Sequence, residues 1–598
     1  MEHVSTETPA NITDLSGQDI SIIPGQNLDD RLRMVPGFSL FRRTSSIVAN
    51  PTTQGVSLRG IGSTGASRTL VLFDGFPMND PFGGWIYWTR FTPEDLERVE
   101  VSRGASTSVY GNLAMGGAIN IFPVEPVRRH VSAGAEVGSE NTYDLWAGYT
   151  EVFRNFAITA GGRGFTTDGY YVVPDSIRGA VDRQANARFV NNDIRLDGFS
   201  GPHRLYLWFN SVEEERGNGT YLTHNNTTVG TAALRYLYQG AHNAFSVSSF
   251  GTSGQLHATF SSVTNNRNTE RLTDRQTVPE DGLGGAAIYS HAGSFYNINA
   301  GADFDRDHGF STDHYSPTKV TVAGGTLLEH GEFVQTDLRA GPVRFYLGAR
   351  DQSTSQGHQF FSPSAGLSAG KGHWRARGSA YRALRSPTLN ELYRPFSTGN
   401  TVTLANSALQ PETLLGAEVG IDFLTERGAI RVTGFRNDLN DLITNVTLSS
   451  TATQIVRQRQ NAGDALSRGV EISANQSWRN WTGSAGYLYA DSRYATGLYV
   501  PQVPRHQGSA QLSYARGRTV ASAGLRAYSL QFDDDQNHFP LPGFVVVQAM
   551  VRERIGKGVF ASLEVTNLLD RVFYTGKTPS PTIGDPRLIR GGVIWKLN

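Results

Sequence analysis

Arg344-Phe345-Tyr346-Leu347-Gly348-Ala349-Arg350 changes character at every step: Phe345, Leu347 and Ala349 share one face, and Arg344, Tyr346, Gly348 and Arg350 the other. Period two is the repeat of a β-strand. The same alternation appears in Gly469–Asn475, where Val470, Ile472 and Ala474 oppose Gly469, Glu471, Ser473 and Asn475, and in Ala521–Tyr528, where alanines and Leu525 oppose Ser522, Gly524, Arg526 and Tyr528. Working outward, roughly 470 residues from Val127 to the C-terminus read as period-two segments broken by Gly, Asn, Asp and Pro. A soluble β-sandwich turns its apolar face inward and seldom continues for so long. A barrel in lipid inverts the pattern, apolar outward and polar toward the lumen. No uncharged apolar run approaches 18 residues, which excludes membrane-spanning helices, and a mean hydropathy of −0.33 is what alternating strands average to. Twenty-two strands would give about 21 residues per strand plus loop, and sixteen about 29, both compatible with spans of about 9–11 residues.

Composition agrees. Glycine at 66 of 598 residues and aromatics at 10% suit many short two-faced strands, and charged residues reach only 18%. The absence of cysteine excludes a disulfide scaffold, thiolate-held zinc or iron–sulfur sites, and a thiol nucleophile. Equal numbers of basic and acidic residues, 54 each, remove the basic footprint of a nucleic-acid binder. Met1-Glu2-His3 opens with no basic or apolar leader segment, so either a signal peptide has been removed or the protein stays inside the cell.

Residues 20–126 have a different texture. A helix-like Asn27–Met34 ends at Pro36–Gly37, a strand Thr69–Phe73 stops at Asp74–Gly75, and Thr92-Pro93-Glu94-Asp95 reads as a helix start. Strands at Val99–Val101 and Gly117–Phe122 follow. A mixed α/β unit of roughly 100 residues is the size needed to plug the lumen of a wide barrel, and it favours the 22-stranded form.

Motifs then carry a resemblance over nearly the whole chain. In the N-terminal unit they are Leu28–Phe38 (LDDRLRMVPGF), Val56–Gly60 (VSLRG), Leu70–Pro77 (LVLFDGFP), and above all Leu96–Gly111 (LERVEVSRGASTSVYG) running into Met115–Ile121 (MGGAINI). In the barrel they are Tyr381–Tyr393 (YRALRSPTLNELY), Leu409–Glu412, Glu418–Gly420, Arg468–Glu471, Val503–His506 and Val565–Asp570. In these the chain resembles the TonB-dependent outer-membrane receptors, and in length the members that take up vitamin B12 or small siderophores. The resemblance implies a membrane all-β fold: a 22-stranded antiparallel transmembrane β-barrel with an N-terminal α/β plug domain in its lumen. It divides the chain into a periplasmic tail (1–19), the plug (20–126) and the barrel (127–598). It further implies import of a scarce metal chelate, ferric siderophore or cobalamin-like, across the outer membrane of a Gram-negative-type bacterium. The implied partners are TonB with ExbB–ExbD in the periplasm, the metal-chelate ligand outside and outer-membrane lipid, but no nucleic acid, for a chain expected to be monomeric. Import of an oligosaccharide or peptide, or an adhesin or docking role without transport, are the alternatives. Two departures stand out. The family usually ends on an aromatic residue, whereas this chain ends Trp595-Lys596-Leu597-Asn598. Val4-Ser5-Thr6, just before Glu7-Thr8-Pro9, is a poor TonB box, so the box is expected to be degenerate or to lie upstream.

No cofactor and no enzymatic activity are expected. No HExxH pair is present, and the G-x-S-x-G spacing at Gly366–Gly370 falls within the period-two region rather than at a strand-to-helix elbow. Gly60-Ile61-Gly62-Ser63-Thr64-Gly65 matches a dinucleotide fingerprint but is followed by a strand rather than a helix, and reads as a plug turn. Asp533, Asp534 and Asp535 supply oxygen ligands that suit a structural Ca²⁺ in an outer loop, or else form a solvated loop. Asp305, Asp307, His308, Asp313 and His314 read as a second polar loop. For cargo, Arg42 and Arg43 suit an anionic chelate, and Asn79, Trp85, Tyr87 and Trp88 sit in a turn that either contacts cargo or packs the plug against the wall. The last expectation concerns how the plug is held. Glu418 and Glu471 alternate against apolar neighbours and should face the lumen, where a carboxylate needs a partner. The resemblance supplies Arg59 and Arg103 as those partners.

Overall fold

The computed structural model describes residues 9–62, 65–316, 318–398, 400–451, 453–461 and 463–597. Val4-Ser5-Thr6, Ser63-Thr64 of the glycine-rich turn and Asn598 lie outside them.

Twenty-two strands, each antiparallel to its sequence neighbours, close into a barrel when the last, Leu588–Leu597, pairs with the first, His130–Gly138. Alternation sets the faces. Phe345, Leu347, Val470, Ile472 and Leu525 point outward and are exposed, while Tyr346, Arg350, Glu471 and Arg526 are buried toward the lumen. A soluble protein could not tolerate that outer band, whereas lipid requires it. One end of the barrel is closed by tight turns such as Gly201-Pro202, Gly341-Pro342 and Gly517-Arg518, and the other carries long connections, among them residues 386–411 and 441–464. In membrane barrels the long loops face outward and the short turns the periplasm. Trp374, Trp478, Trp481, Phe153, Phe156 and Phe295 are exposed around the short-turn end, where a girdle of aromatics meets the lipid interface. Strands Asn243–Thr264, Thr269–Ala292, Tyr296–Ser316 and Lys319–Ala340 have 22, 24, 21 and 22 residues, against eight in Val559–Thr566. At about 3.4 Å per residue they outreach a hydrocarbon layer of about 30 Å even when tilted, so one side of the wall rises above the membrane.

Inside sits a five-stranded sheet in the order Asn11–Ser16, Leu96–Arg103, Gly117–Pro123, Leu70–Phe73, Phe76–Pro77. Its core joins Leu28, Leu32, Val71, Val99, Val101 and Ile119 to the wall residues Tyr206, Trp208 and Ala233. Phe73 and Phe76 stack on Trp208 at centroid distances of 5.0 and 5.9 Å. Plug and barrel therefore share one apolar core.

Four local expectations are corrected. Residues 1–19 do not form a tail throughout, since Asn11–Ser16 is the edge strand of the plug sheet; its six residues pair in register with Leu96–Arg103 but are too few to show a period. Thr92–Asp95 starts no α-helix: one 3₁₀ turn, Pro93–Asp95, runs straight into strand Leu96–Arg103, because the β-branched residues that follow favour a strand. The wall begins at His130 rather than at residue 127. Asp305, Asp307, His308, Asp313 and His314 belong to no loop but to strand Tyr296–Ser316, their polarity reflecting a polar lumen and a wall that stands above lipid.

Candidate functional site

The plug meets the wall through buried charge. Arg59 follows strand Val56–Ser57 with φ of +51°, and Gly60 continues the turn at +68°. A Cβ on Gly60 would lie 2.9 Å from Val503 Cγ1, and one on Gly104 3.1 Å from Arg59 Nη1, so the glycine after each arginine permits the close approach. Arg59 Nη1 donates to Glu418 Oε2 at 2.6 Å and Nε to Glu471 Oε2 at 3.0 Å. Arg103 Nη1 stands 3.6 Å from Glu471 Oε1 and donates to the Pro36 carbonyl at 3.1 Å. Arg103 also donates to Thr13 Oγ1, and Asn11 Nδ2 to Glu471 at 2.8 Å, so the N-terminal strand belongs to this cluster. Ser379 completes the shell of Glu418 at 3.0 Å. The side chains of Arg59, Arg103, Glu418 and Glu471 are all at most 3% exposed. A charge taken out of water this fully is tolerated only when paired.

A second cluster was not anticipated from sequence. Arg68 of the plug grips Glu412 with Nε and Nη2 at 2.9 and 2.6 Å, Arg385 Nε reaches the same carboxylate at 2.7 Å, and Arg385 holds Glu391 at 2.9 and 3.1 Å. Glu391 in turn caps helix Leu389–Tyr393 of the 386–411 loop with Thr388. The loop thus folds into the mouth, and Asn390 N donates to the Phe82 carbonyl of the plug at 2.8 Å. Arg385 and Glu412 lie within motif stretches, and that was the available signal. Arg68 has no such mark.

In the last strand, Arg590 pairs with Glu136, Asp144 and Glu564 at 2.9, 2.8 and 2.7 Å and donates to the plug carbonyl of Gly25 at 3.3 Å. Barrel closure and plug seating meet at one guanidinium.

At the mouth, a small cavity is lined by Phe41, Arg42 and Arg68 of the plug and by Arg457 and Asp533–Asp535 of the loops. Arg42 Nη1 donates to Asp533 at 3.1 Å. The three aspartates do not come together as one ligand set. Asp533 accepts from Gln502 and the Lys577 and Thr578 amides, Asp534 from the His538 and Phe539 amides, and Asp535 from Thr447. Each carboxylate ties down a different segment. Among the described residues no group of three or more His, Cys, Asp or Glu side chains is arranged to hold a metal ion.

The other sequence candidates lie inward. Asn79 pins its own hairpin, accepting from Val71 N at 2.9 Å and donating to the Thr69 and Gly84 carbonyls. Trp85 and Tyr87 are buried against Phe165, Phe189 and Val212 of the wall, and Trp88 packs edge-on to Phe38 in the plug core. These aromatic side chains pack the plug, Trp85 and Tyr87 of them against the wall. Arg43 turns away from Arg42 into a separate cavity.

Comparison with known proteins follows this division. A family model described as "TonB dependent receptor-like, beta-barrel" matches residues 148–568, and one described as "TonB-dependent Receptor Plug Domain" matches residues 5–118. The chain is similar to the solved siderophore receptor PirA of Acinetobacter baumannii (TM-score 0.80, 16% identity, covering 98% of each chain). It is also similar to a ferric enterobactin receptor, PfeA, of Pseudomonas aeruginosa solved with enterobactin (TM-score 0.79, 16% identity, 99% of this chain and 100% of that one). The copper transporter OprC gives a TM-score of 0.83 at 16% identity, over 99% and 100% of the two chains. At such identities the likeness is one of fold.

Proposed function

Because this chain belongs to the TonB-dependent receptor family, a family of transporters and receptors rather than enzymes, we propose that it imports a scarce metal chelate, a ferric siderophore or cobalamin-like molecule, across the outer membrane with energy from TonB and ExbB–ExbD. One observation carries this reading: the barrel is wide, and its lumen is filled by a domain fastened to the wall through buried ion pairs. Cargo passes only if that domain moves, and moving it requires work. The mouth cavity, with Arg42, Arg68 and Arg457 opposite Asp533–Asp535, offers a charged seat of the kind a polar chelate needs. A ligand there biases the plug only through different affinities for its two states.

The N-terminal strand is the handle. Pro9 lies against the wall, accepting from Arg377 at 3.3 Å, and leads into the edge strand Asn11–Ser16, which has a sheet partner on one side only. Pulling this segment peels the strand and removes Asn11 and Thr13 from the Glu471 and Arg103 cluster, loosening the plug where it is most firmly held.

The test is growth of a receptor-deficient strain carrying this chain on a panel of ferric siderophores and cobalamin, with and without functional TonB. TonB-dependent growth on at least one chelate is expected. Growth on none, or growth independent of TonB, would overturn the proposal.

A further inference from the structure

Arg42 and Arg43 are adjacent in sequence and part company in space. Arg42 faces the mouth cavity, while Arg43 enters a second, small cavity between plug and wall, lined also by Arg33, Arg526, Gln531, Tyr528 and Phe544. There its guanidinium carbon lies 5.4 Å from the ring centre of Phe544 and 6.0 Å from that of Tyr528. These rings form a stack continued by Phe573, with centroid separations of 5.0 and 4.2 Å.

All three guanidinium nitrogens of Arg43 are shut from solvent, and none has a hydrogen-bond partner among the described residues. The contrast with its neighbours is instructive. Arg33 spends its donors on the Arg43 and Thr44 carbonyls and on Asp29. Arg526 reaches Asp585 at 3.8 Å and leaves its Nε unmatched, as Gln531 leaves its Oε1. Aromatic rings satisfy the flat face of a guanidinium but not the donors in its plane. Burial pulls Arg43 down to about 9, so it keeps its charge at neutral pH at a cost that an anion would relieve.

We propose that this cavity is an oxyanion site in which the in-plane donors of Arg43 grip a carboxylate-like group while the Tyr528–Phe544–Phe573 stack receives any apolar remainder. A planar carboxylate matches the guanidinium fork through two parallel bonds. The anion has two possible sources. It is either a small free ion or the carboxylate of a larger molecule whose body occupies the mouth cavity, because the two cavities meet at Gln502, which lines the first and donates to Asp533 of the second at 2.6 Å. Only the second source rests on the import reading.

The full chain in detergent is titrated calorimetrically with acetate, inorganic phosphate and metal-free citrate, as wild type, Arg43→Lys and Arg43→Gln, with heat-modifiable gel migration confirming each fold. Saturable binding of at least one probe is expected, weakened about tenfold or more in Arg43→Gln and less in Arg43→Lys. Binding of acetate or phosphate identifies a free small anion, and binding of citrate alone a carboxylate on a larger body. No saturable binding of any probe to the wild type, or equal binding by Arg43→Gln, overturns the site. The probes carry no metal, so that failure leaves the import reading to its own growth assay.

Discussion

Two ion pairs show how differently one interaction weighs at different depths. Glu471 is buried with Arg59, Arg103 and Asn11 around it, and Glu471→Gln strands the Arg103 guanidinium in the lumen and leaves Arg59 with Glu418 alone, at an expected loss of about 3–5 kcal/mol in plug stability. Arg188 and Glu215 pair at 2.8 Å on the outside with side chains 67% and 50% exposed, so Glu215→Gln should cost about 0–1 kcal/mol. Urea titration of plug protection against limited proteolysis separates the two; equal midpoints would contradict the argument. A pH series tests a third residue. Burial raises the Glu94 carboxyl, but the Arg31 guanidinium 2.6 Å away, with Arg163 and Arg590 behind it, overrides that and holds it at about 2 instead of 4.5. A depressed acid stabilises fully above its unfolded value, so this contribution is intact above about pH 4.5 and is lost as pH falls toward 2. Glu94→Gln should lower plug stability at pH 7 and flatten its decline across that window, as read by plug protection in the same assay.

Among the elements, the edge strand Asn11–Ser16 carries the sharpest mechanical consequence. Asp14 faces Glu100 across the ladder, both partly exposed, and the chain has no other thiols to confuse a cross-link. In Asp14→Cys/Glu100→Cys, oxidation should tie the strand to its neighbour and block uptake while leaving chelate binding intact, and reduction should restore uptake. Uptake that persists in the oxidised protein would show that the strand need not peel. This strand was also the element least legible in the sequence. Wall strands announce themselves because lipid demands an apolar residue at every second position, as at Phe345 and Leu347. A six-residue strand shielded by the barrel is under no such demand. The mouth sheet of Phe396–Thr398, Thr401–Leu404, Ile443–Ser450 and Ile455–Asn461 was equally silent, since it joins two distant loops by a parallel pairing that no local pattern encodes. Within the site, the glycines beside Arg59 and Arg103 and the alternation around Glu418 and Glu471 were readable. Arg68 was not, because nothing near it in sequence tells that its partner lies 344 residues away.

At the scale of the whole molecule, a single wall strand organises the hold on the plug. Strand Glu412–Thr425 presents Glu412, Glu418 and Asp422 to the lumen. Glu412 takes Arg68, Glu418 takes Arg59, and Asp422 holds Arg377, which donates to the Pro9 carbonyl. Glu418 lies six positions beyond Glu412, about 20 Å along the strand, beyond the range at which substitutions usually couple. Their effects should therefore add. Barrel closure does not depend on either carboxylate, because the wall is stitched by backbone ladders and an outer apolar band. We expect Glu412→Gln and Glu418→Gln each to loosen the plug, and the double variant to loosen it by the sum within about 0.5 kcal/mol, with unchanged heat-modifiable migration of the barrel. In cells the double variant should admit bulky antibiotics that an intact outer membrane excludes, more than either single variant does. Susceptibility equal to wild type, with plug protection lost in vitro, would mean that the shared core around Trp208 alone seals the lumen and that the ion pairs set only how much force is needed to open it.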